Sequence, residues 1–183
     1  MTTTIALANQ KGGVAKTTSV ASIGAALAEA GQRVLLVDLD PQGSLTFSLG
    51  LAPEEIDTTV AEVLLGKATA ADAIVTTEEG IDLLAANISL AEAEENLVTR
   101  TGREQRLRVA LAKVADDYDW ILLDCPPALG VLTVGALSAA DEVLIPLQAE
   151  TLSHRGVGQL LDTIHDVRQF INTDLVIRGV LPT

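Results

Sequence analysis

The residues best suited to chemistry lie in one lysine- and glycine-containing stretch near the N-terminus, Asn9-Gln10-Lys11-Gly12-Gly13-Val14-Ala15-Lys16-Thr17-Thr18. Residues 4–8 before it form an apolar run typical of a buried strand, and residues 17–30 after it have the apolar spacing of a helix. Successive backbone N–H groups in a glycine-rich turn can surround an anion, and the start of a helix adds partial positive charge there. The stretch therefore predicts a binding site for nucleotide phosphates.

Within this stretch, Lys16 is expected to reach the β- and γ-phosphates and the Thr17 hydroxyl to ligate Mg²⁺. The general pattern G-x-x-x-x-G-K-[ST] is not met, because Gln10 and Ala15 stand at the two glycine positions. If the φ angle of Ala15 is positive, its side chain is strained by about 1 kcal/mol. The alternative is an ordinary glycine turn with two solvated lysines, but position, charge and flanking elements together favour phosphate binding.

Carboxylates follow two other predicted strands. Asp38 and Asp40 come at the end of residues 33–38 and in the turn after them, and Asp124 ends the strand predicted for residues 119–124. Ligands of doubly wound sheets bind beyond the carboxyl ends of the strands, where these groups would meet the phosphate loop. Asp124 is expected to hold Mg²⁺, and Asp40 to lie beside the metal and orient an attacking water. Asp38 has a structural or indirect role; turn formation is the alternative for each carboxylate.

Strands and helices alternate along the chain, which predicts an α/β fold with a doubly wound, mostly parallel sheet and helices on both faces. The remaining predicted strands are residues 81–85, 142–147 and 175–180. Further helices are expected at residues 58–65, 70–75, 102–117, 132–139 and 152–171. Residues 51–90 carry the weakest pattern. We expect a single domain over residues 1–183.

Composition limits the classes of function. Of the 183 residues, 48% are hydrophobic but only 2% are aromatic, so the core is aliphatic, as in helix-covered parallel sheets. The net charge of −13 opposes indiscriminate binding to nucleic acid or to an anionic membrane, so any DNA contact needs a local basic patch. A single cysteine fits a reducing compartment. No signal peptide or membrane-spanning run is recognised.

Four segments, in family order and spanning nearly the whole chain, resemble the ParA/Soj family of deviant Walker A P-loop partition ATPases, within the ParA/MinD superfamily. The loop is similar to K-G-G-x-G-K-[ST], with Ala15 as its one departure. Residues 38–43 resemble the family's D-x-D-P-Q-G segment and residues 124–130 its D-x-P-P-x-L-G segment. Residues 139–146 resemble a third shared stretch.

The resemblance implies a P-loop NTPase fold and ATPase activity with ATP/ADP and Mg²⁺, slow in the absence of a partner and DNA. It implies an ATP-dependent homodimer in which Lys11 crosses to the partner's phosphates. It further implies non-specific DNA binding, a ParB-like partner, and a role in chromosome or plasmid partition in the bacterial cytoplasm at the nucleoid, without a membrane. The family continues past residue 183, so we expect this chain to lack the family's C-terminal part.

The predicted site combines three roles. The catalytic residues are Lys11, Lys16 and Asp40, and the metal ligands are Thr17, Asp40 and Asp124. The nucleotide is expected to contact Lys11, Gly12, Gly13, Val14, Ala15, Lys16, Thr17 and Thr18.

Several alternatives stay open at this point. A MinD-like division-site ATPase shares the loop, and a nucleotide-binding scaffold with little turnover would result if Ala15 disabled it. A Rossmann dehydrogenase would use Asp38 to bind ribose, but the loop is not G-x-G-x-x-G. The densest basic region is interpreted as a solvated helix face rather than a DNA patch; it comprises Arg100, Arg103, Arg106, Arg108 and Lys113.

Overall fold

The computed structural model describes residues 2–148 and 154–183. Within these residues the chain forms seven strands: β1 Thr3–Leu7, β2 Val34–Asp38, β3 Ile74–Thr76, β4 Asp82–Leu84, β5 Trp120–Asp124, β6 Glu142–Leu147 and β7 Val176–Pro182. The α-helices of the same residues are α1 Lys16–Glu29, α2 Ser44–Ser48, α3 Val60–Leu65, α4 Ala70–Ala73, α5 Ser89–Val98, α6 Arg106–Leu111, α7 Val131–Ala139 and α8 His154–Phe170.

The strands form one sheet in the order β3-β4-β2-β5-β1-β6-β7. All neighbouring strands are parallel except β3, which runs antiparallel to β4 at one edge. Parallel neighbours need a crossover connection, and helices occupy these connections along most of the chain. The predicted doubly wound, mostly parallel fold is confirmed.

Apolar side chains leave both faces of the sheet, as the pleat of a strand requires. Along β2, Leu35 and Val37 belong to the larger buried cluster, whereas Val34 and Leu36 belong to the cluster on the opposite face. The larger cluster is completed by helices α3 to α8, and the smaller one by α1 and α2. Aliphatic burial on both faces holds the sheet rigid, so the ends of its strands have fixed positions.

Strand register brings the predicted chemical groups to one place. Leu7, the last residue of β1, pairs with Asp124 of β5, and Asp124 also pairs with Asp38 of β2. The chain leaves β1 toward β2 on one side and leaves β5 toward β6 on the other, so the switch in strand order lies between β1 and β5. Ligands of such sheets bind in the crevice beyond this point.

The structure differs from the sequence-based prediction in several elements. The helix predicted for residues 102–117 is divided: 3₁₀ turns at Arg103–Gln105 and Ala115–Asp117 flank the shorter α6. Helices α2 and α5 had no prediction, and β3 follows α4 directly where a helix was expected to continue to residue 75. The predicted start of the last helix, at Leu152, lies outside the described residues.

None of the helices in the described ranges combines the length and the apolar character needed to cross a lipid bilayer.

Gly24 allows helix α1 to pack closely on β2. A Cβ atom built on Gly24 would lie 2.8 Å from Cδ2 of the fully buried Leu36. We predict that Gly24→Val lowers the free energy of unfolding by about 1–3 kcal/mol, because an overpacked core must shift its neighbours. Urea denaturation measures this change.

A matched control is Gly158→Ala in α8, where an added Cβ would meet nothing within 4 Å. This change is expected to raise the free energy of unfolding by about 0.5–1 kcal/mol, since alanine favours a helix over glycine. Equal stability of Gly24→Val and the unsubstituted protein would contradict close packing of α1 on β2.

Candidate functional site: a phosphate loop and two carboxylate turns

The loop between β1 and α1 has the backbone of an anion-binding turn. Gly13 has φ 73°, Ala15 has φ 57° and ψ 30°, and both lie in the left-handed region. Helix α1 then begins at Lys16 without a side-chain cap and without an acidic residue in its first turn. Its first backbone N–H groups therefore remain available to an external acceptor such as a phosphate.

Ala15 is the sole non-glycine residue with positive φ among residues 2–148 and 154–183. The sequence left two outcomes open for this position, and the structure has the strained one. The left-handed conformation costs a residue with a Cβ atom about 1–2 kcal/mol. The loop therefore has a conformation at Ala15 that costs free energy, and glycine at this position would not carry that cost.

The two lysines of the loop have different surroundings. Lys16 is buried, and its Nζ donates a hydrogen bond to the carbonyl oxygen of Lys11 at 3.3 Å. Burial lowers the pKa of the Lys16 ammonium, and the negative charges of Asp124 and Asp40 oppose this effect. Lys11 is exposed at the head of the loop. Lys16 thus lies inside the site, whereas Lys11 lies at its exposed surface.

Asp124 is a buried carboxylate that lies beside the Thr17 side chain. It is 1% exposed, and within the described part of the chain neither Oδ1 nor Oδ2 has a partner of hydrogen-bond geometry. Burial raises the pKa of Asp124 to about 7; the nearby Thr17 side chain and the Lys16 charge lower it, whereas Asp38 and Asp40 raise it. An unpaired buried charge is costly, and a bound cation would compensate it.

These surroundings fit Mg²⁺, which is commonly held by one or two protein oxygen ligands together with phosphate oxygens and water. In the described ranges no group of three or more His, Cys, Asp and Glu side chains is placed to hold a metal alone. The predicted ligands Thr17 and Asp124 lie next to each other, and Asp40 is close enough to influence the pKa of Asp124. These few protein ligands suit a Mg²⁺ ion whose remaining ligands come from the phosphates of a nucleotide and from water.

Asp38 anchors the turn that carries Asp40. Its Oδ2 accepts hydrogen bonds from the Thr46 backbone at 2.9 Å and the Thr46 hydroxyl at 2.8 Å, and its Oδ1 accepts from the Asp40 backbone at 3.1 Å. The Thr46 hydroxyl in turn accepts from the Ala86 backbone at 3.1 Å. Both oxygens of Asp38 are satisfied, so its role is the structural one of the two that the sequence left open.

The Asp40 turn is fixed by backbone contacts. Oδ1 of Asp40 accepts a hydrogen bond from the Gln42 backbone at 3.0 Å, and the Asp40 carbonyl accepts from the Gly43 backbone at 2.9 Å. Gly43 has φ 61°, and a Cβ atom there would lie 2.9 Å from the Ala86 carbonyl oxygen, so glycine is required. Asp40 is half-buried and faces the site that contains Lys16 and Asp124.

Three further residues contact the phosphate loop and were missed by sequence reasoning. Asn9 donates through Nδ2 to the Pro146 carbonyl at 2.7 Å and accepts from the Lys11 backbone at 3.0 Å. Gln148 and Thr183 donate to loop carbonyls. Apart from the local Asn9–Lys11 bond, these contacts join residues 135 to 169 positions apart, so no local pattern indicates them. A polar side chain at the carboxyl end of β6 was the one available signal.

The basic region of residues 100–113 is partly occupied by structural contacts. Arg106 and Arg100 donate to the carbonyls of Leu64 and Leu65 at the end of α3, at 2.9 and 3.1 Å. Arg103 donates to the carbonyl of Val98 at the end of α5. Positive side chains are favourable at helix C-termini, which carry partial negative charge. These contacts support a structural role for three of the five basic residues.

The chain is similar to known proteins in both sequence and fold. A family model described as an AAA domain (AAA_31) matches residues 2–177. Sporulation initiation inhibitor protein Soj of Bacillus subtilis is 49% identical over 98% of this chain and 71% of its own length. The chromosome partitioning protein ParA of Caulobacter vibrioides is 46% identical over 98% of this chain and 68% of its own length.

This chain belongs to the ParA/Soj family of P-loop ATPases. The family resemblance predicted from the four segments is confirmed. The chain spans between 57% and 71% of the length of the first curated relatives it matches.

Solved structures support the same fold. A cobyrinic acid a,c-diamide synthase from Mycobacterium smegmatis, with bound ATP analogue and magnesium, is 60% identical with a TM-score of 0.97. The match covers 100% of this ParA/Soj family chain and 75% of that chain. A second structure under the same name contains ADP and magnesium and is 61% identical. These ligands agree with the predicted cofactors ATP/ADP and Mg²⁺.

The strain at Ala15 leads to a prediction about stability. Replacing Ala15 with glycine is expected to raise the free energy of unfolding by about 1 kcal/mol, because the left-handed conformation no longer carries a penalty. The control Ala26→Gly, at an exposed position within α1, is expected to lower it by about 1 kcal/mol. Urea denaturation of both variants measures the difference, and a loss of stability in Ala15→Gly would contradict the strain.

The two buried aspartates should respond in opposite directions to the same substitution. In metal-free buffer at about pH 8, Asp124→Asn is expected to raise the free energy of unfolding by about 1 kcal/mol, since it removes an unpaired buried charge. Asp38→Asn is expected to lower it by about 1–3 kcal/mol, since the new amide group cannot accept all three hydrogen bonds. Denaturation with a chelator present tests both, and destabilisation by Asp124→Asn would contradict the absence of a partner.

Proposed function

We propose that this chain is an ATP-dependent, dimerising ATPase of the ParA/Soj type that acts in chromosome or plasmid partition. The observation that carries the proposal is the meeting of three groups at one sheet edge. These are the phosphate loop with the uncapped start of α1, the buried Asp124 carboxylate, which has no partner of hydrogen-bond geometry among the described residues, and the Asp40 turn held by Asp38. The similarity to Soj and ParA over nearly the whole chain supports the same conclusion.

Each group has a role in ATP hydrolysis. The backbone N–H groups of the loop and the Lys16 ammonium bind the β- and γ-phosphates, and Asp124 and Thr17 hold Mg²⁺ beside them. The metal neutralises part of the charge on the phosphate oxygens when it is bound. Asp40, on a turn held in place by Asp38, orients the water that attacks the γ-phosphate.

Lys11 acts across a dimer interface. Its exposed position at the head of the loop suits contact with phosphates bound by a second copy, whereas the buried Lys16 serves its own site. A positive group supplied in trans stabilises the charge that develops in phosphoryl transfer. ATP, which has the γ-phosphate, therefore favours the dimer more than ADP does.

The dimer is proposed to bind DNA without sequence preference and to respond to a ParB-like partner that raises its slow turnover. Because the net charge is −13, DNA contact depends on a local concentration of basic residues. Six of the 12 lysines and arginines lie between residues 67 and 113, and three of these donate to helix carbonyls. The proposed location is the bacterial cytoplasm, at the nucleoid.

The first experiment is sedimentation equilibrium with Mg-ATP and, separately, with Mg-ADP. A dimer with ATP and a monomer with ADP are expected, and Lys11→Ala should remain monomeric in both. Lys67→Ala, an exposed lysine outside the loop, is the matched control and should dimerise as the unsubstituted protein does. A monomer in both nucleotides would contradict the proposed dimer.

ATP turnover separates the competing functions. Hydrolysis should rise when DNA and a ParB-type partner are added, and Asp40→Ala should abolish turnover while leaving the ATP-dependent dimer intact. Persistent absence of turnover would favour a nucleotide-binding scaffold, and turnover that depends on lipid vesicles would favour a MinD-like role. Because two similar structures carry the name of a cobyrinic acid synthase, turnover dependent on cobyrinic acid would also contradict partition.

A further inference from the structure

Two side chains that follow the neighbouring strands β6 and β7 hold the backbone carbonyls of the phosphate loop. Nε2 of Gln148, just after β6, donates to the Gly13 carbonyl at 2.8 Å. Oγ1 of Thr183, just after β7, donates to the Val14 carbonyl at 3.3 Å. The two contacts fall on consecutive peptide groups in the centre of the loop.

The direction of these carbonyls decides where the loop N–H groups point. The described chain contains no cis peptide bond, so each carbonyl and the N–H of the next residue point in opposite directions. A Gly13 carbonyl held toward Gln148 directs the Val14 N–H away from it. A Val14 carbonyl held toward Thr183 does the same for the Ala15 N–H. These are N–H groups that an anion-binding turn presents to a phosphate.

The loop needs such support because other restraints on its backbone are weak. A Cβ atom built on Gly12 or Gly13 would meet nothing within 4 Å, so neighbouring atoms do not confine these residues. Ala15 holds a left-handed conformation that costs free energy. The Val14 side chain is fully buried and anchors the middle of the loop, but burial of a side chain does not fix the rotation of the peptide groups beside it.

We propose that Gln148 and Thr183 are positioning residues that hold the phosphate loop in its nucleotide-binding conformation. The proposal rests on the proposed function, since it assigns their effect to the same nucleotide site. Neither residue needs to touch the nucleotide. Each acts through one loop carbonyl and thereby through the N–H group on the same peptide.

The test measures dissociation constants for Mg-ADP and for a non-hydrolysable ATP analogue with Mg²⁺. Gln148→Met and Thr183→Val keep the size of each side chain but remove the donor. Each is expected to weaken binding of both nucleotides about three- to tenfold, the effect of one lost hydrogen bond. Thr183→Ser keeps a hydroxyl and should bind within about twofold of the unsubstituted protein.

Matched controls come from helix α8. Thr163 donates through Oγ1 to the Gln159 carbonyl at 2.9 Å, so Thr163→Val also removes a hydroxyl bonded to a backbone carbonyl, but away from the loop. Gln159→Met repeats the glutamine-to-methionine substitution at an exposed position away from the loop. Both should bind nucleotide as the unsubstituted protein does. Thermal unfolding without nucleotide should separate Gln148→Met and Thr183→Val from their controls by no more than a few degrees.

The outcomes distinguish the two proposals. If the unsubstituted chain binds neither nucleotide, the proposed function fails, and the positioning role fails with it. If it binds both but Gln148→Met and Thr183→Val bind equally well, only the positioning role is overturned. A loss of affinity that Thr163→Val and Gln159→Met share would likewise overturn it, because it would reflect general destabilisation. If only one of Gln148→Met and Thr183→Val weakens nucleotide binding, the positioning role of the other residue is overturned.

Discussion

The pairing of β5 with both β1 and β2 is the interaction on which the rest of the site depends. It places Leu7, Asp38 and Asp124 in one row at the carboxyl edge of the sheet. The phosphate loop follows Leu7, the Asp40 turn follows Asp38, and Asp124 is the proposed magnesium ligand. A shift in the register of β5 by one residue would direct Asp124 to the other face of the sheet, because side chains alternate along a strand.

Two groups of the site carry a local cost in free energy, and both lie where a nucleotide is proposed to bind. Among the described residues the buried Asp124 carboxylate has no partner of hydrogen-bond geometry, and Ala15 is held in a left-handed conformation. Features of this kind persist only where the surrounding structure fixes them, and they are common at functional sites. Here the aliphatic clusters on both faces of the sheet supply the rigidity. A bound magnesium nucleotide would compensate the negative charge of Asp124. This compensation is expected to contribute to the free energy of nucleotide binding.

Two carboxylates that are equivalent in the strand register have unlike environments. Asp38 accepts hydrogen bonds from two backbone N–H groups and one hydroxyl, whereas Asp124 accepts none within the described chain. Burial raises the pKa of both groups, and for Asp38 the bonds from Thr46 and Asp40 oppose this. The first carboxylate therefore organises a turn, and the second remains available to a cation. Both lie at the end of an apolar strand, and the sequence predicted metal binding for Asp124 and a structural or indirect role for Asp38.

Local sequence determined much of this protein. The apolar runs and the glycine–lysine loop predicted the strands and the phosphate loop, because these depend on residues that are near in the chain. The meeting of the loop with the carboxylates after two strands was predicted from the general rule that ligands bind beyond the carboxyl ends of the strands in doubly wound sheets. Periodicity also identified the buried side of residues 102–117 correctly, with Leu107, Leu111 and Val114 in the core. It did not predict that 3₁₀ turns shorten that helix where the chain enters β5, or that β3 pairs antiparallel at the edge.

Only the tertiary structure decided the positive φ of Ala15, the satisfied state of Asp38 and the support of the loop by Asn9, Gln148 and Thr183. The physical reason is distance along the chain: these features depend on contacts between residues that folding alone brings together.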